Sequence, residues 1–149
     1  MENLNLDSID IRIVRTSDAG ELARLMGDLG YPATTDQMQM RLQRISKDAD
    51  YETFVAEISD NLVGMIGVRM GMGYERDGLY AQIITLVVDA NRRGKGIGKL
   101  LVGAAEKWVR EKNADKLIVT TAIHRTETHR FYESGCGLQK TGYRFAKEF

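Results

Sequence analysis

The sequence predicts a single domain of the mixed α/β (α+β) class. Runs in which apolar and polar residues alternate share the chain with runs that carry an apolar residue every three or four positions. Between an apolar run at 83–88 and an apolar helical stripe lies a turn that contains Gly94, Gly96 and Gly98. A chain of 149 residues is long enough for one domain and too short for two ordinary ones. We therefore expect one domain over 1–149, with its core over about 9–149.

The composition argues against several classes of protein. Lys and Arg total 21, Asp and Glu total 21, and 43% of residues are hydrophobic, which disfavours disorder and a nucleic-acid-binding surface. No stretch approaches the roughly 20 apolar residues that span a bilayer, and the first residues lack a signal-peptide pattern. The lone Cys136 excludes an intramolecular disulfide, and His, Cys and acidic residues are too scattered for a metal site. The default expectation is a cytoplasmic protein without a metal, a nucleic-acid partner or a membrane partner.

The first predicted elements are a strand and a helix. Residues 9–14 alternate between apolar and charged side chains, which is typical of a half-buried strand. Asp18 and Glu21 have the spacing of a capping box, and an apolar stripe follows them. Gly30 stands where a left-handed helix end is expected. A helix is therefore predicted between Asp18 and Gly30.

A second helix and a hairpin follow. Thr34 and Gln37 also have capping-box spacing before an apolar stripe. Two runs rich in β-forming residues, 53–58 and 62–70, flank a Ser-Asp-Asn turn at 59–61.

The second half of the chain predicts strands and helices in alternation, because its apolar period switches repeatedly between two and about 3.6 residues. The predicted elements are a loop at 70–78, strands at 79–88, 116–122 and 139–149, and helices at 97–112 and 126–134.

The glycine turn predicts a site for a phosphorylated ligand. A glycine-dense turn that opens a helix leaves several backbone N–H groups unpaired and directed the same way, which suits a phosphate. A P-loop would need Ser or Thr after Lys99, where Leu100 stands, and the dinucleotide fingerprint would need glycine at Lys99. Neither spacing fits, although a nucleotide-binding βαβ protein stays open as an alternative.

Two motifs resemble the GNAT superfamily of N-acetyltransferases. Arg93-x-x-Gly96-x-Gly98 matches the R/Q-x-x-G-x-G/A signature of the acetyl-CoA site, and His129-Arg130-Phe131-Tyr132-Glu133 looks like the family's A-x-x-(F/L)-Y-E segment. The order β, α, α, β, β, β, α, β, α, β is also similar to that fold. The resemblance implies a mostly antiparallel, splayed sheet of 6–7 strands flanked by about four helices.

The resemblance also implies the binding mode of acetyl-CoA. Backbone groups of Leu86 and Val88 would pair with the pantetheine arm, the amides of 93–98 would hold the pyrophosphate, and the Val87 amide would polarise the thioester carbonyl. The residues implied to contact acetyl-CoA are Leu86, Val87, Val88, Arg93, Gly94, Lys95, Gly96, Ile97, Gly98, Lys99, Thr128, Phe131 and Tyr132.

Tyr132 is the main candidate for proton transfer. Acyl transfer from a thioester needs a proton for the departing thiolate, and a phenol with an ordinary pKa near 10 holds one at neutral pH. In the family context we interpret Tyr132 as the general acid; the alternative is an ordinary core aromatic residue.

The general base is not identified by the sequence. The segment 81–86, where many family members carry a carboxylate, contains none. His124 has a suitable ordinary pKa, although a lone His in a polar loop is more often only solvated. Further candidates are His129, Glu57, Glu75 and Asp77.

The resulting expectation is transfer of an acetyl group from acetyl-CoA to a primary amine by direct attack in a ternary complex. The acceptor is a small molecule or a peptide, selected by the first two helices and the 70–78 loop. A non-catalytic acetyl-CoA-binding or regulatory module is the alternative that the missing carboxylate favours. A homodimer is expected if the last strand pairs or exchanges between subunits.

Overall fold

The centre of the structure is a five-stranded sheet, seen in a computed structural model that describes residues 5–121 and 125–149. The strands lie side by side in chain order; the first four are antiparallel, and the fifth runs parallel to the fourth. The strands are β1 (Asp10–Ile13), β2 (Tyr51–Ile58), β3 (Asn61–Met72), β4 (Leu79–Val88) and β5 (Ala114–Val119). The helices are α1 (Ala19–Leu29), α2 (Thr35–Ser46), α3 (Ile97–Glu111) and α4 (Thr126–Arg130). This is the predicted mixed α/β class.

Helices cover both faces of the sheet, because neighbouring residues of a strand point to opposite faces. Met65 packs in the core with Leu22 and Leu25 of α1, whereas the adjacent Ile66 packs with Leu101 of α3. The sheet therefore separates an α1/α2 core from an α3 core. Among residues 5–121 and 125–149, no helix combines the length and apolar character that crossing a membrane requires.

Several predicted turns and caps are confirmed. Thr34 Oγ1 accepts a hydrogen bond from the Gln37 N–H at 3.1 Å, and Gln37 Oε1 accepts one from the Thr34 N–H at 3.0 Å. Gly30 ends α1 with φ of 102°. The hairpin turn uses positive φ at Ser59 and Asp60, 48° and 67°, which matches the twist of the flanking strands.

The predicted capping box at Asp18 and Glu21 is wrong. A short 3₁₀ turn, Thr16–Asp18, precedes α1, and the Asp18 carboxylate accepts two bonds from the Arg12 guanidinium at 2.9 Å. A charged bidentate bond is stronger than a neutral cap, which explains why Asp18 faces Arg12. Glu21 instead accepts the Leu62 N–H at 3.2 Å and pairs with Arg24.

The predicted strand over 139–149 is also wrong, so the described sheet has five strands instead of six or seven. A pattern of alternating side chains makes a strand only where a neighbouring backbone supplies hydrogen bonds, and this segment pairs with no described strand. Gly137 takes φ of 71° just before the segment, and the aromatic rings of Tyr143, Phe145 and Phe149 are exposed.

Candidate functional site

The site begins where β4 separates from β5. Pairing of the two strands runs from Leu79 to Ile83, which faces Val119, and no described residue of β5 pairs with β4 beyond that point. On its other side β4 carries a bulge, because Gly67 faces Thr85 whereas the next residue of β3 faces Ile83. Ile84 is the extra residue. The outer edge of β4 is therefore open along 84–88.

Backbone alternation fixes which amides face this opening. The Asp89 N–H donates to the Val63 carbonyl at 2.8 Å, so residue 89 points its backbone groups toward β3. Backbone groups two residues apart point the same way in a strand. The Val87 N–H is therefore directed toward Met65, its partner in β3. The Val87 N–H therefore does not point into the opening, where it was expected to donate to the thioester carbonyl.

The alternate residues of β4 point the other way. Leu86 and Val88 turn their backbone groups toward the open edge, and the Val88 carbonyl accepts from Arg93 Nε at 3.3 Å there. An extended ligand beside this edge would meet backbone groups of Leu86 and Val88 directed toward it, as an added strand would. The pantetheine contacts of Leu86 and Val88 stay a prediction, which this direction of the backbone permits.

The glycine turn follows at the end of β4 and opens α3. Gly94 and Gly96 have φ of 76° and 91°, a region that favours glycine, and Gly96 is the residue that precedes the helix. Gly96 has no side chain to cap the first turn of α3, and no other side chain among residues 5–121 and 125–149 caps it. A Cβ on Gly94 would have no heavy atom within 4 Å. The N–H groups of the first helical turn are therefore available to an anion.

Helix α1 holds this turn in place. The Arg93 guanidinium donates to the Asp28 carbonyl at 3.2 Å, and the Asp28 carboxylate accepts the Ala90 N–H at the same distance. Arg24 pairs with Asp89 at 3.0 Å. The hydrogen bond from the Asn91 N–H lowers the pKa of Asp89 below its ordinary value, and the bond from Arg24 lowers it further. The Arg93 side chain thus positions the turn, and the exposed Lys95 and Lys99 supply its accessible positive charge.

The second motif packs directly on the glycine turn. A Cβ on Gly98 would lie 3.1 Å from Cζ of Phe131, so only glycine lets this ring sit against the first turn of α3. A Cβ on Gly135 would lie 3.6 Å from Cε of Lys99. The two sequence motifs are therefore neighbours in space.

Tyr132 occupies a one-turn π-helix, Phe131–Gly135, that continues α4. Its side chain is buried in the α3 core, with its ring 5.2 Å from that of Phe131 in an edge contact. Burial raises the pKa of Tyr132 to about 12. The phenol therefore stays protonated at neutral pH, which a proton donor requires.

The remaining candidates divide by position. Thr128 and His129 are half-buried on α4, on the same short segment as Tyr132. His124 lies outside the described residues. Cys136 packs beside the α3 core, and burial raises the pKa of its thiol, so it is a poor nucleophile.

The carboxylate candidates do not gather at the opening of β4. Glu57 forms an ion pair with Arg12 beside β1, and Glu75 and Asp77 are exposed on the loop between β3 and β4. Gln82, on β4 itself, accepts two bonds from the Arg69 guanidinium, at 3.1 and 3.3 Å. A fixed carboxylate on β4 is therefore absent, as the sequence indicates.

Sequence reasoning missed a cleft on the α1/α2 face of the sheet. It has a volume of about 130 Å³ and lies between α1, α2 and the bulge of β4. Thr53, Gly67 and Thr85 lie side by side across β2, β3 and β4 at its floor. This row becomes visible only once the register of three strands is known, so no local motif marks it.

A sequence model of the acetyltransferase (GNAT) family matches residues 21–138. Aminoalkylphosphonate N-acetyltransferase from Salmonella typhimurium is 30% identical over 123 residues, which are 83% of this chain and 77% of that protein.

Solved structures agree with these sequence matches. A GNAT family acetyltransferase from Staphylococcus aureus has a TM-score of 0.82 and 25% identity, over 95% of this chain and 99% of that one. AAC(6')-Iy in complex with the bisubstrate analogue CoA-S-monomethyl-acetylneamine has a TM-score of 0.82 at 16% identity, over 95% and 97% of the two chains.

Proposed function

Because the chain belongs to the acetyltransferase (GNAT) family, we propose that it transfers the acetyl group of acetyl-CoA to a primary amine of a small molecule or peptide. One observation carries the proposal. The open edge of β4 leads directly into the glycine turn, and the segment that bears Tyr132 packs against that turn through Phe131 and Gly98. A strand edge, an anion site and a proton donor thus adjoin one another.

The proposed binding of acetyl-CoA follows the chain. The N–H groups at the start of α3 receive the pyrophosphate, with Lys95 and Lys99 nearby. The backbone of Leu86 and Val88 holds the pantetheine arm along the open edge of β4. We assign the carbonyl-polarising N–H to Leu86, because the Val87 N–H is directed toward β3. Thr128 and Phe131 complete the contacts expected from the α4 side.

The proposed reaction needs no covalent enzyme intermediate. The acceptor ammonium loses a proton to solvent, and the neutral amine attacks the thioester carbonyl, so that a C–N bond forms. The attacking nitrogen then gives its second proton to solvent, and the C–S bond breaks as the amide forms. Leu86 N–H donates to the carbonyl oxygen as negative charge develops there. The thiolate takes the Tyr132 proton, and Tyr132 regains one from solvent. Juxtaposition of the two substrates supplies much of the acceleration.

The test is acetyl-CoA-dependent release of free thiol with a panel of primary amines. We expect N-acetylated product and free CoA in equal amounts. Stabilisation of the protein by CoA without turnover on any amine would instead support a non-catalytic acetyl-CoA-binding module. Gln82 favours that second candidate, because this uncharged residue stands on β4 where a carboxylate base would be expected. Its amide oxygen already accepts a hydrogen bond from Arg69.

We also propose a homodimer, for which the structure offers two complementary features. β5 ends the described sheet with a free edge, and segment 139–149 is exposed and carries alternating aromatic side chains. Sedimentation equilibrium of the full chain and of a chain truncated before residue 139 tests this: a dimer that survives truncation contradicts the proposed role of the segment. A cytoplasmic location stays a prediction from the sequence.

A further inference from the structure

The cleft on the α1/α2 face indicates the chemical class of the acceptor. We propose that it binds a small primary amine that also carries an anionic group, with the amine at Thr85 and the anion at Arg41. The inference rests on the proposed acetyl transfer and names the acceptor for it.

The floor of the cleft is shaped by a missing side chain. Thr53, Gly67 and Thr85 are in register on three adjacent strands, and the middle position has no Cβ. A Cβ on Gly67 would lie 3.1 Å from Cγ2 of Thr85 and 3.4 Å from Cγ1 of Ile84. Any larger residue at 67 would therefore displace the side chains of Thr85 and Ile84, so glycine at this position lets both of them line the floor.

The cleft reaches the opening of the sheet at a single point. Ile84 and Thr85 line the cleft, and they are also the first residues of β4 that β5 no longer covers. The next residue, Leu86, turns its backbone toward the opening. A group bound at Thr85 thus lies one residue along the strand from the proposed thioester site.

Thr85 carries a polar atom that lacks a partner. Its Oγ1 is buried, and no hydrogen bond to it is present among the described residues. Buried polar atoms are nearly always hydrogen-bonded, so this hydroxyl beside the cleft is available to pair with an atom of a ligand bound there. A primary amine can donate a hydrogen bond to this oxygen and keep its lone pair for attack.

Arg41 supplies the positive charge at the cleft. Its Nη1 lies 3.8 Å from Sδ of Met38, which also lines the cleft, and no ion pair within residues 5–121 and 125–149 involves Arg41. The guanidinium binds carboxylate or phosphonate oxygens through two parallel bonds.

The other charged residue at the cleft does not neutralise Arg41. Glu52 of β2 lies opposite Val68 of β3, and Val68 packs in the α3 core. The Glu52 side chain therefore projects from the α3 face of the sheet, away from the cleft. Its Oε1 accepts the Thr53 N–H at 3.0 Å. A net positive charge therefore faces the cleft and favours an anionic substituent.

The size of the cleft limits the acceptor. Its volume of about 130 Å³ equals roughly four water molecules in the liquid, so it holds a short chain of few heavy atoms. Met26, Leu42 and Ile45 form apolar walls that suit an alkyl spacer. These dimensions fit an aminoalkyl phosphonate or an aminoalkyl carboxylate better than a peptide.

The experiment compares three primary amines with the same alkyl spacer, ending in a phosphonate, a carboxylate or an alcohol. We expect wild-type kcat/KM to be at least tenfold higher for an anionic amine than for the alcohol. Arg41→Gln should reduce this ratio to near one without changing the KM for acetyl-CoA. Arg44→Gln, on the same helix but outside the cleft, is the matched control and should keep the ratio. The two anionic arms show which head group is preferred.

Two results would overturn the inference: no preference of the wild type for either anionic amine, or an unchanged ratio in Arg41→Gln. Absence of turnover with every amine refutes the proposed function separately. In that case, equilibrium binding of the same amines in the presence of CoA tests the proposed site. Tighter binding of the anionic amines, and its loss in Arg41→Gln, do not require catalysis.

Thr85 has its own pair of variants. Thr85→Val keeps the shape and removes the hydroxyl, whereas Thr85→Ser keeps the hydroxyl. We expect the first to lower kcat/KM for the amine at least tenfold with CoA affinity unchanged, and the second to restore most of it. Equal activities of the two variants would overturn the assignment of Thr85.

Discussion

Replacing Tyr132 with Phe removes one oxygen atom and leaves the rest of the residue in place. The ring of Tyr132 is buried in the α3 core, where Phe keeps the same shape and the edge contact with Phe131. The backbone bond from the Leu138 N–H to the Tyr132 carbonyl, 2.9 Å long, is also unaffected. We therefore expect a folded variant that has lost only its proton donor.

The size of the effect follows from the pKa of the phenol. Burial raises the pKa of Tyr132 to about 12, whereas an ordinary thiol has a pKa of about 8.5. Donation to a free thiolate is uphill by roughly 3.5 pKa units, or about 5 kcal/mol, so the proton moves only as the C–S bond breaks. General acids contribute about 100-fold to 10,000-fold in rate, and a poorly matched pKa favours the low end. We expect kcat to fall about 100-fold.

The assay measures thiol release under saturating acetyl-CoA and amine, with the KM for acetyl-CoA determined in parallel. Tyr143→Phe is the control, because Tyr143 is exposed on the C-terminal segment and should retain the wild-type kcat. A wild-type kcat in Tyr132→Phe would refute the general-acid role. A large rise in the KM for acetyl-CoA with kcat unchanged would assign Tyr132 to binding instead.

The same residue makes a prediction about stability. The pKa of Tyr132 is raised from 10.0 to about 12, so its contribution to stability is complete below pH 10 and is lost as pH rises toward 12. Two pKa units correspond to about 3 kcal/mol of unfolding free energy. Urea denaturation between pH 9 and 12 should show this loss in the wild type and not in Tyr132→Phe. The same dependence of unfolding free energy on pH in the wild type and in Tyr132→Phe would contradict the raised pKa of Tyr132.

Two further predictions concern the glycine turn and the ion pairs beside β1. Gly96→Glu should abolish CoA binding in calorimetry, because a φ of 91° disfavours a side chain and the carboxylate would repel the pyrophosphate. The control is Gly103→Glu, at an exposed helical site, which should bind CoA normally. CoA affinity retained by Gly96→Glu would refute the assignment of the turn. Arg12→Met should lower the unfolding free energy by about 3 kcal/mol, since Asp18 and Glu57 would remain unpaired. Arg12 contributes most to the lowered pKa of Asp18, and the Arg15 N–H lowers it further. Wild-type stability should therefore also fall as pH drops below 3.8, and Arg12→Met should show a smaller fall; equal falls in denaturant titrations would contradict the pairing.

Local patterns predicted most of the fold. The cap formed by Thr34 and Gln37, the left-handed Gly30 and the turn at Ser59 and Asp60 each depend on a few neighbouring residues, so their sequences suffice to identify them. The glycine turn and Tyr132 were likewise found as short motifs.

The errors came from contacts between distant residues. Asp18 leaves its predicted cap because Arg12, on the adjacent strand, offers a charged bidentate partner. Segment 139–149 has the alternation of a strand without a described partner. The choice between the amides of Leu86 and Val87 depends on the register of β3 against β4, which sequence periodicity does not determine. The cleft floor depends on that register as well.

The most direct test of acetyl transfer is mass spectrometry of a primary amine incubated with acetyl-CoA and the full chain. We predict an N-acetylated amine, formed in proportion to free CoA by the wild type and not by Gly96→Glu. Thermal stabilisation by ATP or NAD but not by CoA, together with an unmodified amine, would contradict the account.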